Sequence, residues 1–235
     1  MLTFIGIGSA FNTPLGNTSA FIKSNDELLL IDCGSTVFKS INESGLLEDV
    51  RKISVIITHT HPDHAGSLGD LIFYAYYIMK TQVDIYFPDR QLMEKFLSAI
   101  GCEPFHYKLS SRMYESIEHG EFKGLSVEFI DVSHVDVIST FGFLLRYDRH
   151  SFYYSGDANN LKAHIIPMLA NHEIDYAYQD VCSQDFDGNV HMSLRLLKET
   201  VPEYLRSKVF CMHFDKYLNA AMVEAEGFSA VSIGL

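Results

Sequence analysis

Thr58-His59-Thr60-His61-Pro62-Asp63-His64 places three imidazoles and one carboxylate within the six positions 59–64. Imidazole nitrogen and carboxylate oxygen are the usual ligands of zinc and its neighbours in the first transition row. At this chain's His and Asp content, the pattern H-x-H-x-D-H would arise by chance on the order of 10⁻³ times per chain, so a merely solvated loop explains it poorly. The string follows the apolar run Ile53–Thr58, ISVIIT. A loop at a strand end can splay such side chains into one cleft while a rigid sheet stands behind it. Three further residues share that placement. His134 follows VEFIDVS, Asp157 follows SFYYSG and His213 follows KVFCM. Each alone reads as an ordinary loop residue, but together they predict one edge of a sheet carrying a metal site. His106, His119, His150, His164 and His172 lack the placement and read as surface or structural.

The elements that must position these residues follow from periodicity and turn signals. Thr3–Gly8 reads as a strand, and Thr18–Lys23 with Glu27–Asp32 as a hairpin across Ser24-Asn25-Asp26. Ser35–Ser44 reads as a short helix ending at Gly45, and Ile53–Thr58 as a buried strand. Gly66–Lys80 has apolar residues at helical spacing, Val83–Phe87 reads as a strand, and Arg90–Ile100 is an amphipathic helix ended by Gly101. Cys102–Gly124 is the least regular stretch. Strands are then expected at Ser126–Val132, Phe141–Tyr147, Ser151–Tyr154, Ile174–Val181 and Lys208–Met212. Helices are expected at Leu161–Leu169, Met192–Arg206 and Ala220–Glu226, with Pro202 ending or kinking the second. Strands come in runs before each helix, which predicts an α+β arrangement of two sheets with outer helices.

The composition bounds what the site can serve. The chain has 235 residues, 47% of them hydrophobic and 20% charged, which is globular and enough for a core without disulfides. No repeat, linker or low-complexity stretch divides it, so one domain over residues 1–235 is expected. Its 18 basic and 30 acidic residues give a net charge of −12. That argues against an unaided grip on a nucleic-acid backbone, although a small anion held by a metal remains open. The N-terminus lacks the basic and apolar regions of a secretory signal, and no apolar run is long enough to span a membrane. Cys33, Cys102, Cys182 and Cys211 are scattered without any CxxC pair and read as buried free thiols. The expected setting is the cytoplasm.

With these residues in view, the chain resembles the metallo-β-lactamase superfamily of metal-dependent hydrolases. The likeness runs from IGIGSAFNTP to the last residues. Its finer match is the ribonuclease Z-like branch: GSAFNTPLGNTSAFI, LLLIDCG, YYSGD and CMHFDKY resemble that branch's boxes, and His191-Met192-Ser193 resembles its H-x-S/T box. The resemblance implies a four-layer αββα sandwich and two divalent metal ions. It puts His59, His61 and His134 on one metal, Asp63, His64 and His213 on the other, and Asp157 between them. Two such ions acidify a shared water and neutralise phosphate oxygens during in-line attack. His191 would then be a catalytic acid toward the leaving oxygen, and Asp63 would orient the nucleophile as well as bind metal. A helix N-terminus with a polar cap is the other reading of His191. Thiolate-free ligands suit zinc, and also manganese or iron.

The branch's transfer-RNA enzymes carry a long arm, in the bacterial form between the third His and the bridging Asp. Only 22 residues, 135–156, fill that interval here, and FGFLLRYD with SFYYSG takes up most of them as a hairpin. The chain therefore resembles arm-less relatives, among them the phage anti-Pycsar family, which implies a phosphodiesterase for 3′,5′-cyclic mononucleotides such as cyclic CMP and UMP. The resemblance also implies a homodimer, with a small nucleotide as substrate and no membrane or stable nucleic-acid partner. The alternatives are a transfer-RNA 3′-processing endonuclease, a glyoxalase II-like thioesterase, and a non-catalytic nucleotide or metal binder. Pro104–Phe122, with Phe105, His106, Tyr107, Arg112 and Tyr114, is expected either to cap the site as a lid, to form the dimer contact, or to be a surface loop with a few buried aromatics.

Overall fold

The computed structural model describes residues 2–235. The first half of the chain builds one six-stranded sheet in sequence order. Strands β1 (Thr3–Gly6), β2 (Ser19–Ser24) and β3 (Glu27–Ile31) run antiparallel, with β2 and β3 joined as the expected hairpin. Strands β4 (Lys52–Ile56), β5 (Val83–Tyr86) and β6 (Tyr107–Ser110) then add in parallel to β3. Parallel addition needs crossovers, and helices supply them. Helix α1 (Val37–Glu43) links β3 to β4; α2 (Pro62–Ala65) and α3 (Leu68–Tyr74) link β4 to β5; α4 (Arg90–Ala99) links β5 to β6. Leu28, Leu29, Leu30 and Ile31 are all fully buried, as befits a strand covered on both faces.

The second half repeats the scheme. Strands β7 (Tyr114–Ser116), β8 (Ser126–Asp131), β9 (Phe141–Tyr147) and β10 (His150–Tyr154) form an antiparallel meander. Strands β11 (Tyr176–Asp180), β12 (Val209–Met212) and β13 (Ser229–Ala230) follow in parallel. Their crossovers carry α5 (Ile165–Ala170), α6 (Leu194–Thr200) and α7 (Ala220–Glu224). The two mixed sheets face each other across one apolar core, where Phe4 meets Tyr178 at 5.6 Å and Phe87 meets Phe141 at 5.5 Å between ring centroids. Helix α1 packs on β1, α5 on β11 and α7 on β13. This is the α+β, two-sheet sandwich that the pattern and the resemblance implied.

Three stretches depart from expectation. The segment at 66–80 is not one α-helix, because α3 passes into a π-helical turn at Ala75–Met79 that ends with Lys80 in a left-handed conformation. There Tyr76 and Tyr77 both pack on the buried His106. The irregular stretch at 102–124 contains β6 and β7, the edge strands of the two sheets, so pairing with a neighbour decides what local pattern does not. Pro202 ends α6 outright, and a 3₁₀ turn at Glu203–Lys208 continues the chain. All four cysteines are buried and free, as expected.

The parallel strands of both sheets end on the same side of the sandwich, and the turns that follow them are packed closely. Gly34, just after β3, lies against the backbone of Asp63, so that a Cβ there would sit 1.9 Å from its carbonyl oxygen. Cys33 N–H donates to the His64 carbonyl, and Ser35 N–H to that of Pro62. The His-rich turn is therefore built against the β3 turn rather than standing free.

Candidate metal centre

The functional turns are held from below by two buried carboxylates. Asp32 follows β3 with φ at +61°, a conformation that Asp tolerates better than most residues. Its carboxylate accepts hydrogen bonds from Thr58 N–H at 2.8 Å, Thr58 Oγ1–H at 2.9 Å and His64 Nδ1–H at 2.8 Å. Pro62 opens α2 at a position that suits its fixed φ, and His61 precedes it in extended conformation. The short helix then turns Asp63 and His64 inward together. Asp180, the last residue of β11, accepts from His191 Nδ1–H at 2.7 Å through Oδ2, and its Oδ1 faces His213 Nδ1 at ion-pair distance, 3.2 Å. The carbonyl of Val190 takes the Nδ1–H of His134 at 3.0 Å. Each such contact orients its ring and turns Nε2 toward the centre.

The bare atoms converge as two groups. In the first, His59 Nε2 and His134 Nε2 lie 3.0 and 3.3 Å from His61 Nδ1. In the second, Asp63 Oδ2 lies 3.4 Å from His64 Nε2 and 3.3 Å from His213 Nε2. Asp157 belongs to both. Its Oδ2 faces His59 and His134 at 3.8 and 3.7 Å, and its Oδ1 faces His64 and His213 at 3.1 and 3.4 Å. His64 Nε2 and Asp157 Oδ1 are buried without a hydrogen-bond partner, which is costly unless something else satisfies them. Nitrogen and oxygen atoms around a divalent ion with bonds of about 2.0–2.1 Å stand about 3.3 Å apart at tetrahedral angles, close to the spacings seen. The donor set and its spacing fit two divalent metal ions with a shared carboxylate.

All seven residues expected as ligands are thus brought together, and His191 stands beside them, its ring 5.1 Å from those of His134 and His213. Asp32 and Asp180 were missed as positioning residues. The signal for Asp180 was present, because YAYQD is an apolar run ending in an acid, the same signature that marked Asp157. His106 is buried among Phe73, Tyr76 and Phe105, so its role is structural. No residue of 104–122 lines the cleft over the centre, so within one chain this segment is not a lid.

The charge balance follows from burial and neighbours. Burial opposes ionisation of Asp157, but His213, His64 and His59 outweigh it and hold its carboxyl well below the usual range. Asp63 is likewise held low against burial by a hydrogen bond from His213 and by the nearby His64. His59, buried beside other imidazoles, is pushed well below its ordinary value. Burial opposes charge on His191 too, yet Asp180 and Asp157 raise it. The cleft above has a volume of about 540 Å³, within the usual range for small-molecule sites. His61, Asp63, His134, His191 and His213 line it, and among the described residues no Lys or Arg does.

A family model described as "Anti-Pycsar protein Apyc1" matches residues 1–232. The chain belongs to the anti-Pycsar Apyc1 family. A relative of that description from Paenibacillus xerothermodurans is 28% identical over 225 residues, covering 91% of this chain and 87% of its own. One from Bacillus phage 010DV004 is 27% identical over 234 residues, covering 91% and 88%. Among solved structures, the metallo-β-lactamase fold protein YhfI from Bacillus subtilis superposes with a TM-score of 0.76 at 19% identity, over 100% of this chain and 97% of that one. The short form of human tRNase Z gives 0.65 at 18% identity, over 100% and 99%. These likenesses establish the metallo-β-lactamase fold. Family, fold and the two His/Asp groups together support a metal-dependent hydrolase.

Two outcomes follow. Asp157→Ala removes the one carboxylate common to both groups, so elemental analysis should fall from two metals per chain to one or none, with turnover nearly abolished; full loading with most turnover kept would refute the shared role. In the metal-free protein, burial opposes charge on His213, yet Asp157 and Asp180 lift its pKa from the ordinary imidazole value of about 6.5 to about 10. A raised folded-state pKa gives stability that is complete below about pH 6.5 and is lost as pH rises toward 10. Melting curves of chelated protein should therefore weaken across that window, whereas metal, which requires neutral imidazole, should remove the decline. A flat metal-free profile would refute this charge balance.

Proposed function

We propose that this chain is a metal-dependent phosphodiesterase that opens 3′,5′-cyclic mononucleotides to linear nucleoside monophosphates. The observation that carries the proposal is the His191–Asp180 pair beside a centre built for two metals, in a small cleft with no basic lining. A phosphodiester needs charge neutralisation at its oxygens, a nucleophile and a proton for its leaving oxygen. When bound, the two ions would supply the first and acidify a water for the second. Zinc is the ion proposed, given imidazole and carboxylate donors without thiolate.

The chain's own groups cover the rest. Asp63, held ionised by His213 and His64, accepts a hydrogen bond from the attacking water and so orients it. His191 binds Asp180 through Nδ1–H, which leaves Nε2 to carry a proton toward the cleft. With its pKa raised by Asp180 and Asp157, His191 holds that proton near neutrality and delivers it to the departing ribose oxygen. A polynucleotide would find no Lys or Arg along this cleft, and the 22 residues between His134 and Asp157 hold the β9–β10 hairpin in place of an arm. Both points favour a small substrate over transfer RNA. Membership of the anti-Pycsar Apyc1 family is in keeping with that reading.

The proposed assembly is a homodimer. Tyr77 and Phe105 are 53% and 57% exposed and form one aromatic cluster with Tyr76 and His106. An exposed cluster of this kind suits burial against a second copy.

The deciding experiment is a chromatographic assay against cyclic CMP, UMP, AMP and GMP, a precursor transfer RNA and a lactoyl thioester, each with and without chelator. Chelator-sensitive conversion of the cyclic nucleotides alone is expected. Cleavage of the thioester or the RNA with cyclic nucleotides intact would overturn the substrate assignment. His191→Ala should cost about 10²–10⁴-fold on cyclic nucleotides. It should cost far less on bis-p-nitrophenyl phosphate, whose leaving group needs no proton; equal losses would remove the acid role. Light scattering should give twice the chain mass of 26.6 kDa, and a monomer would refute the dimer.

A further inference from the structure

Two large apolar side chains stand in solvent at the rim of the metal cleft. Phe11 is 93% exposed and Phe186 is 61% exposed, and both line the cleft whose floor holds His61, His134 and His213. Neither sits on a slack loop. Ser9 N–H donates to the Phe214 carbonyl, and Asn12 N–H closes the turn onto the Ser9 carbonyl. The buried Asn12 amide donates to the carbonyls of Phe214 and Asp215 at 2.9 and 3.1 Å. On the other rim, Asp185 accepts from Ser193 Oγ–H at 2.8 Å and pairs with Arg195, while Asn189 donates to the Gln184 carbonyl at 2.8 Å. Asp215 joins the two rims, since its carboxylate also accepts from Ser183 N–H and Oγ–H at 2.6 and 2.8 Å.

The turns that carry both phenylalanines are therefore tied, through Phe214 and Asp215, to the turn that carries His213. A phenyl ring left in water forgoes the burial that usually stabilises a Phe. A ligand group that covers it recovers that burial. With no Lys or Arg among the described residues that line the cleft, such apolar contact can supply affinity for the non-reacting part of a substrate, beside the polar Gln184 and Asn189. A nucleobase is a flat π-system suited to aromatic faces, and every base has such a face.

We propose that Phe11 and Phe186 form the surface on which the nucleobase of the substrate stacks while its phosphate lies at the metal centre. The proposal rests on the phosphodiesterase reading and adds to it the residues that select a nucleoside over a bare sugar phosphate. Because stacking tolerates all four bases, this surface gives affinity for a base in general and little preference among them.

The test compares cyclic nucleotides with methyl riboside 3′,5′-cyclic phosphate, which has the reacting ring and no base. The metal-loaded wild type should prefer the nucleotides by roughly tenfold or more in kcat/KM, carried by KM. Phe11→Ala with Phe186→Ala should bring that ratio toward one by raising the nucleotide KM. Phe11→Trp with Phe186→Trp should keep the ratio, whereas the matching Leu variants, apolar but not planar, should lose most of it. A ratio unchanged in the double Ala variant would overturn the proposal. So would a shift from dimer to monomer with KM unmoved, which would assign the rings to an interface. Failure of the parent reading looks different: the wild type would then hydrolyse neither cyclic phosphate.

Discussion

A carboxylate buried between two clusters of imidazoles is the constraint on which the rest of the structure depends. Asp157 is 2% exposed, and each of its oxygens faces a different pair of histidines. A lone buried charge would be expelled or neutralised. It is tolerated here because His59, His134, His64 and His213 surround it, and because the donor set as a whole suits two cations. Strand β10 brings Asp157 to the sheet end, where β4, β8 and β12 bring the imidazoles. The tight turns after β3 and β4, with Gly34 against the Asp63 backbone, let the surrounding chain come close enough.

A second layer of carboxylates sets direction. Asp32 and Asp180 are fully buried; they hold His64 and His191 by hydrogen bonds from Nδ1, and Asp180 also faces His213 Nδ1 at 3.2 Å. Asp180 serves two histidines, His213 within the metal-ligand groups and His191 beside them. Any disturbance of Asp180 would reach both. The four carboxylates Asp32, Asp63, Asp157 and Asp180 are balanced by imidazoles around them. Among the described residues, no lysine or arginine lines the cleft.

Substrate scope then becomes a matter of the rim. The floor is common to any phosphodiester, whereas the rigid turns at 9–12 and 183–190 differ in kind from a long mobile arm. They present two exposed aromatic rings beside the polar Ser9, Gln184 and Asn189. On the proposed reading, a short rim of this kind suits a small ligand that brings its own aromatic group.

Much of this was legible in the sequence. The string at 58–64, the polar residues after the apolar runs at 126–132, 151–154 and 208–212, and the alternation of strand runs with helices depend on local pattern, which survives folding unchanged. They gave the α+β sandwich and every residue of the two metal groups. The π-turn at Ala75–Met79 and the edge strands β6 and β7 were not legible, because a helix pitch and an edge strand depend on what packs beside them. The roles of Asp32 and Asp180 were hidden for a related reason. A carboxylate 32 residues from His64, or 33 from His213, becomes its partner only when parallel strands bring their ends together. The sequence by itself determined which chemistry is present, since ligand type and strand-end placement are local properties. The tertiary structure alone decided which ring each buried carboxylate steers and which aromatic rings stand at the rim, since these are distances between residues far apart in the chain.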